Sequence, residues 1–279
     1  MPGSTITPRR VVLNLVRVTP ERAIAVQRLV EAGALFGFKG NAVRVAVTRL
    51  VSDGLLQSDE RGSYRLGSAA QAKNRHVEQW RSGEARVRPW SGGWLAVVLP
   101  SSLERAARRS SLQALSQLGF CEGWPGLWVR PDNLSACIDG LSERLLSLGL
   151  SEQAELFGLE RPSARLAAHF ATELWPLSAL QRGYERSIAA LRESLDRLDS
   201  MPREQALVQS FLLGGEAIAV LAKDPLLPAE LMDVSGRAEL SELMLRYDRV
   251  GHRLWRSFAT GRGSRGLELV AQPGDKHAS

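Results

Sequence analysis

Between Asn41 and Gly54 the apolar residues return at helical spacing. Val43, Ala46, Val47, Leu50 and Val51 share one face, and Arg44, Val45, Thr48, Arg49 and Ser52 share the other. Asn41 suits an N-cap and Gly54 a stop, which predicts a helix between them. Leu55-Leu56 and Tyr64-Arg65-Leu66 then flank a polar turn carrying Arg61-Gly62, the pattern of a short hairpin with Tyr64 and Leu66 inward. Upstream, Pro8 opens a predicted helix to about Val18, with Val11, Val12, Leu15 and Val16 inward and Arg9, Arg10 and Arg17 outward. A second helix is predicted with Thr19 as cap and Pro20 first, running through Ile24, Val26, Leu29, Val30 and Leu35 to Gly37.

From Trp90 the pattern changes. Residues 93–100 form a continuous apolar run of strand length, and 103–118 read as an amphipathic helix carrying Arg105, Arg108 and Arg109. Two strands, 120–124 and 127–130, are predicted around Pro125-Gly126, followed by a helix over 135–148 and a strand over 154–159. Strand-helix-strand-strand-helix-strand is the ferredoxin-like order. After Arg161-Pro162 helices are predicted over about 163–175, 177–199, 203–222 and 236–260. Pro225 and Pro228 fall in the break between the last two. The expected class is α+β, with domains at 1–67, 90–161 and 162–261, a connector at 68–89 and a disordered tail at 262–279.

Charge sharpens the first of these. Residues 1–90 hold 15 Lys and Arg against 7 Asp and Glu, whereas 91–279 hold 21 against 23, so the whole positive excess lies at the N-terminal end. Three helices and a hairpin with a basic outer face are the plan of a winged helix-turn-helix, whose last helix enters the major groove while its wing meets phosphates. Arg44, Thr48 and Arg49 are the candidates for base edges, because they lie within one turn or so of each other on the outer face. Lys39, Asn41 and Ser63 are candidates for phosphates, and Arg61 at the wing tip for phosphate or minor groove. A solvated face is the competing reading, with Arg49 paired to Asp53 one turn on. No apolar run approaches a membrane span and no leader pattern opens the chain, so a cytoplasmic protein is expected. Cys121 and Cys137 suggest neither a disulfide framework nor a metal pair, and the four histidines are dispersed.

Three segments resemble the PaaX-type repressors of aromatic-acid catabolism. Lys223–Leu231, reading KDPLLPAEL, is similar to the family's most recognisable stretch; Val43–Leu50 with Gly54-Leu55-Leu56 is similar to its winged helix; and Trp90-Ser91-Gly92-Gly93-Trp94 to its entry into the central domain. The resemblance implies a homodimeric repressor of double-stranded DNA operators. It also implies a winged N-terminal domain, a central ferredoxin-like domain similar to Cas2, a helical C-terminal domain, and release by an aryl-CoA thioester, typically phenylacetyl-CoA. No cofactor beyond such an effector is implied.

Seven tryptophans against three tyrosines leave two readings. They pack between domains, or Trp90, Trp124 and Trp128 wall an aryl-CoA pocket with Arg130 meeting its phosphates. Leu212, Leu213, Ile218, Leu243, Leu245, Leu254 and Trp255 supply apolar surface for a dimer. The rival from another class is a Cas2-like metal-dependent nuclease. Its first strand should end on a carboxylate, but here it ends Leu99-Pro100-Ser101-Ser102, with none before Glu104, so no enzyme is expected. A DNA binder without a ligand is the other rival, and 190 nearly neutral residues beyond the basic region speak against it.

Overall fold

The computed structural model describes residues 6–19, 22–59, 62–67 and 78–260. They form a mixed α+β protein that divides into two compact units. One holds the described residues within 6–67 with 194–210 and 250–260; the other holds 78–193 with 211–249. The predicted connector lies partly, and the predicted tail wholly, outside the described residues.

In the first unit, α1 (Pro8–Val18) starts where extended Thr7 accepts the Arg10 amide on its hydroxyl, with Pro8 in the first turn. Its apolar stripe, Val11, Val12, Leu15 and Val16, is buried as the spacing predicts. Helices α2 (Val26–Leu35) and α3 (Gly40–Ser52) complete the core with Leu29, Ala32, Val43, Val47 and Leu50. A small sheet of β1 (Ile24–Ala25), β2 (Leu56–Ser58) and β3 (Ser63–Leu66) has the order β1-β3-β2, antiparallel throughout. Two expectations are corrected here. Helix α2 begins at Val26, because Ile24 and Ala25 are drawn out to pair with Tyr64 and Ser63. The cap of α3 is extended Lys39, not Asn41; after the turn closed by Phe38 N–H on Gly33 O at 3.0 Å, the helix starts two residues earlier than an Asn41 cap would place it. Gly54 ends α3 as predicted, at φ +67°, where a side chain would be strained.

The same unit uses part of the apolar surface predicted to dimerise. Phe36 stacks on Trp255 with centroids 6.2 Å apart, the Arg28 guanidinium lies 5.9 Å from the Phe258 ring, and Leu254 is buried.

The second unit is built on β4 (Trp94–Val98), α4 (Arg105–Gln117), β5 (Cys121–Trp124), β6 (Leu127–Pro131), α5 (Ile138–Ser147) and β7 (Glu155–Leu159). The four strands are antiparallel in the order β5-β6-β4-β7. Central β4 is continuously apolar, and both of its faces are covered over Trp94–Val97, Val98 being exposed. Leu95 and Val97 pack with Leu115, Leu141 and Leu145, while Trp94 meets Trp90, Phe170 and Trp175 on the other side. Helix α5 starts at Ile138, later than predicted. A 3-10 helix (Gln79–Arg86) holds Ser135 outside α5, its amide on Arg86 O at 2.9 Å and its hydroxyl on Ala85 O at 3.1 Å.

The remaining helices are α6 (Ala164–Glu173), α7 (Leu177–Leu198), α8 (Arg203–Ala222) and α9 (Ser235–Ala259), close to their predicted bounds. Contrary to the reading of short apolar runs, α8 is long and apolar enough to cross a membrane by length and composition. Much of that character serves packing: Phe211, Ala217 and Leu221 are buried, and Gly214 lies close enough to Met244 and Tyr247 that a Cβ would sit 3.6 Å from each. Leu243 is buried within this unit as well, so it too is taken from the predicted dimer surface.

Gly119, after α4, sits at φ +75°, and a Cβ there would lie 2.7 Å from Pro225 Cα and 2.8 Å from Pro225 O. Backbone cannot step aside as a side chain can. Gly119→Ala is expected to lower unfolding free energy by about 2–3 kcal/mol, read from the urea midpoint.

Candidate nucleic-acid interface and an arginine-lined cavity

Helix α3 presents Lys39, Asn41, Arg44, Val45, Thr48, Arg49 and Ser52 to solvent, and Val45 is 43% exposed. An exposed valine among cations is consistent with a face that meets something other than water. Arg44 passes close over Gly40, where a Cβ would lie 3.2 Å from Nη1. Asp53 would be the natural partner of Arg49 at this spacing, but it is taken by Arg9 at 2.6 Å. Neither Arg44 nor Arg49 has a carboxylate within ion-pair distance among the described residues. The Thr48 hydroxyl donates to Arg44 O at 3.1 Å and keeps its acceptor capacity. On the hairpin, Ser63 is half-buried opposite Ala25, and Arg65 is exposed between Tyr64 and buried Leu66. Arg61 lies outside the described residues. The 13 residues of α3 span about 20 Å, which fits within a major groove lengthwise.

The second unit contains a cavity of about 220 Å³, lined by Arg86, Arg130, Arg144, Asp224, Gln79 and Leu226 among others. Arg130, on β6, is 1% exposed. It donates to Leu118 O, to Pro131 O at 3.1 Å, to Asn133 Oδ1 at 3.0 Å and to Pro225 O at 3.4 Å. All these acceptors are neutral. Burial pushes its pKa down to about 9, the Asp132 charge acting against this and that of Arg144 with it. Burial also lowers the pKa values of Arg86 and Arg144, and each is lowered further by a neighbouring arginine.

KDPLLPAEL forms one wall. Leu226 takes φ +55°, a conformation rare for leucine. Asn133 Nδ2 donates to its carbonyl at 2.7 Å, and its amide donates to Asp224 Oδ1 at 2.7 Å. Buried Asp224 also accepts from Tyr184 Oη and lies 3.6 Å from Arg237. Arg237 in turn makes a two-pronged bond to Glu84 at 2.8 and 2.9 Å and donates to Leu227 O at 2.8 Å. Burial raises the pKa of Asp224, while Arg237 and Tyr184 oppose that shift.

Of the four residues suggested for an effector pocket, only Arg130 lines this cavity. Trp90 donates to Gly93 O at 2.5 Å and packs edge-on against Trp94. Trp124, 61% exposed, borders a separate groove of about 800 Å³ with Leu127, Arg165 and His169. Trp128 packs half-buried on the core, its Nε1 without a hydrogen-bond partner. The sequence reading missed Arg86 and Arg144, which look like solvated cations in a polar connector and on a helix. The available signal was Asp224, a lone carboxylate in an apolar, proline-bounded run, which demands buried partners.

An α+β protein with an unpaired basic helix face, over a region that concentrates the chain's positive charge, has the character of a transcription regulator. Residues 11–70 match the family model for PaaX-like protein, so the PaaX-type resemblance read from the sequence is shown over that segment. The family supports transcription regulation as the class of function. Among solved structures, the uncharacterized protein Rv0674 from Mycobacterium tuberculosis is similar, with a TM-score of 0.60 and 24% identity over 92% of this chain and 98% of its own. That similarity concerns the fold alone. No curated protein matches the chain.

Proposed function

We propose that the chain is a sequence-specific DNA-binding regulator, a dimeric repressor of an aromatic-acid catabolic operon that an aryl-CoA thioester releases. On this reading α1–α3 with β2 and β3 act as a winged helix-turn-helix, and β4–β7 with α4 and α5 as a ferredoxin-like domain. Each winged region reads one half of a pseudo-palindrome from within the cytoplasm. Lys39, Asn41 and Ser63 meet phosphates; Arg44, Thr48 and Arg49 meet base edges. The observation that carries the proposal is the outer face of α3, where Arg44 and Arg49 have no internal carboxylate while Asp53 is neutralised by Arg9.

The test is selection of a duplex from a random pool by the purified chain, followed by titration over a range of salt. An enriched inverted repeat is expected, with affinity falling by about 10³-fold or more between 50 and 200 mM salt if six or more phosphates are contacted. Adding phenylacetyl-CoA is expected to release the duplex. A pool that enriches no sequence would overturn the DNA reading; a selected duplex that no aryl-CoA thioester releases would overturn the effector reading alone.

A further inference from the structure

Val45 breaks the pattern of the basic helix face. It is 43% exposed, whereas Val43 and Val47, two residues to either side, are buried. At about 100° per residue it stands about 200° round α3 from Val43, so it points away from the core and not along its margin. Asn41 lies one turn before it and Thr48 and Arg49 one turn after, and all three are exposed. Val45 thus occupies the middle of the outward face, with exposed Arg44 at its flank. The Thr48 hydroxyl gives its proton to Arg44 O at 3.1 Å, so what it has left is an acceptor oxygen and a methyl group. Val45 and Thr48, three residues apart, make a small apolar island among polar and cationic side chains.

Single exposed valines are common on soluble proteins, and the simplest account makes this one incidental. Local helix stability does not favour it, however, since a β-branched residue is a poorer helix former than Ala, Lys or Arg. Its place on the helix carries more weight. When a helix lies in a major groove, its ends and flanks meet phosphates, while the middle of its outward face meets the base edges. Purine N7, guanine O6, thymine O4 and the amino groups of adenine and cytosine all call for a polar partner there, and the thymine C5-methyl group is the apolar contact. A valine held over a donor or acceptor would leave that group dry and unpaired, which is costly. One side chain therefore attracts a thymine and disfavours its alternatives.

We propose that Val45 is a specificity-determining residue that packs on the C5-methyl group of a thymine in the major groove, with Thr48 bordering the same methyl. The proposal rests on the DNA reading of α3 and adds a base identity to it: one position in each half-site is thymine.

The test uses the duplex that the full chain enriches from a random pool. Each thymine of the half-site is replaced in turn, in both half-sites, by deoxyuridine, which lacks only the C5-methyl group and pairs as before. Affinity is read by fluorescence anisotropy. At one position the parent chain should lose about three- to fourfold per half-site, and about tenfold for the pair. Val45→Ala should bind the thymine duplex about as weakly as the parent binds the uracil duplex, and should no longer distinguish the two. Arg44→Ala, weaker overall, should still distinguish them. Alanine at an exposed helical position should not disturb folding, which circular dichroism checks. A selected duplex in which no thymine shows the difference, or a difference that Val45→Ala leaves unchanged, overturns this proposal and leaves the DNA reading standing. A pool that enriches no sequence overturns the DNA reading, and the thymine contact with it.

Discussion

Arg237→Met is expected to lower the unfolding free energy by about 3–5 kcal/mol, the cost of leaving a buried carboxylate without its cation. Arg237 and Asp224 are almost fully buried, and Asp224 would keep the Tyr184 hydroxyl, the Leu226 amide and the weaker influence of the Arg86 charge. The same substitution cuts two bonds to Glu84 and one to Leu227 O, so the 3-10 helix and the KDPLLPAEL segment both lose their tie to α9. Burial already raises the pKa of Asp224, and removing Arg237, the largest opposing influence, raises it further. A group whose folded pKa is raised contributes stability below its unfolded pKa and loses it as pH rises through the folded one. The deficit of the variant should therefore narrow as pH falls and widen as it rises. Adding Asp224→Asn should recover part of the loss, because a neutral amide needs no counter-ion. Urea unfolding followed by tryptophan fluorescence reads all three; a loss under about 1 kcal/mol would mean that the triad is not the lock described.

The sequence revealed this lock as a motif but not as a mechanism. KDPLLPAEL was legible as a family resemblance and as a proline-bounded break between α8 and α9. Its partners were not. Glu84 and Arg237 lie 153 residues apart, and no periodicity links them. The same division runs through the whole fold. Helices α1, α3 and α6–α9 were legible because each buries a local stripe, and β4 because an uninterrupted apolar run signals a strand covered on both faces. Strand β1 was not, since two residues carry no pattern and their geometry is set by pairing with Tyr64 and Ser63, about forty residues away. At the candidate interface, which residues of α3 point outward was legible from the wheel. That Asp53 is claimed by Arg9 was not, because it depends on the packing of α1 beside α3. In the cavity, Arg130 was singled out for its charge near tryptophans; the structure gives it arginine neighbours instead.

The two kinds of contact proposed for α3 separate in an alanine series. Arg44→Ala should weaken the selected duplex by about 1–3 kcal/mol, roughly ten- to a hundredfold, and relax preference at one base position, because a guanidinium can span two acceptors of guanine. Lys39→Ala should weaken all duplexes alike and lower the slope of log affinity against log salt by about one, as expected for a single lost phosphate contact. Neither change should alter stability much: Lys39 and Arg44 are exposed and form no ion pair among the described residues. Arg9→Ala is the informative control. It frees Asp53, which lies one turn from Arg49 and can then draw that side chain back along the helix. DNA affinity should fall although Arg9 itself need not touch DNA, and Asp53→Ala in the same background should restore it. If Arg9→Ala binds as tightly as the parent, the pairing with Asp53 is incidental and the availability of Arg49 has another cause. Equal losses on specific and random duplexes for Arg44→Ala would reduce its role from reading a base to neutralising a phosphate.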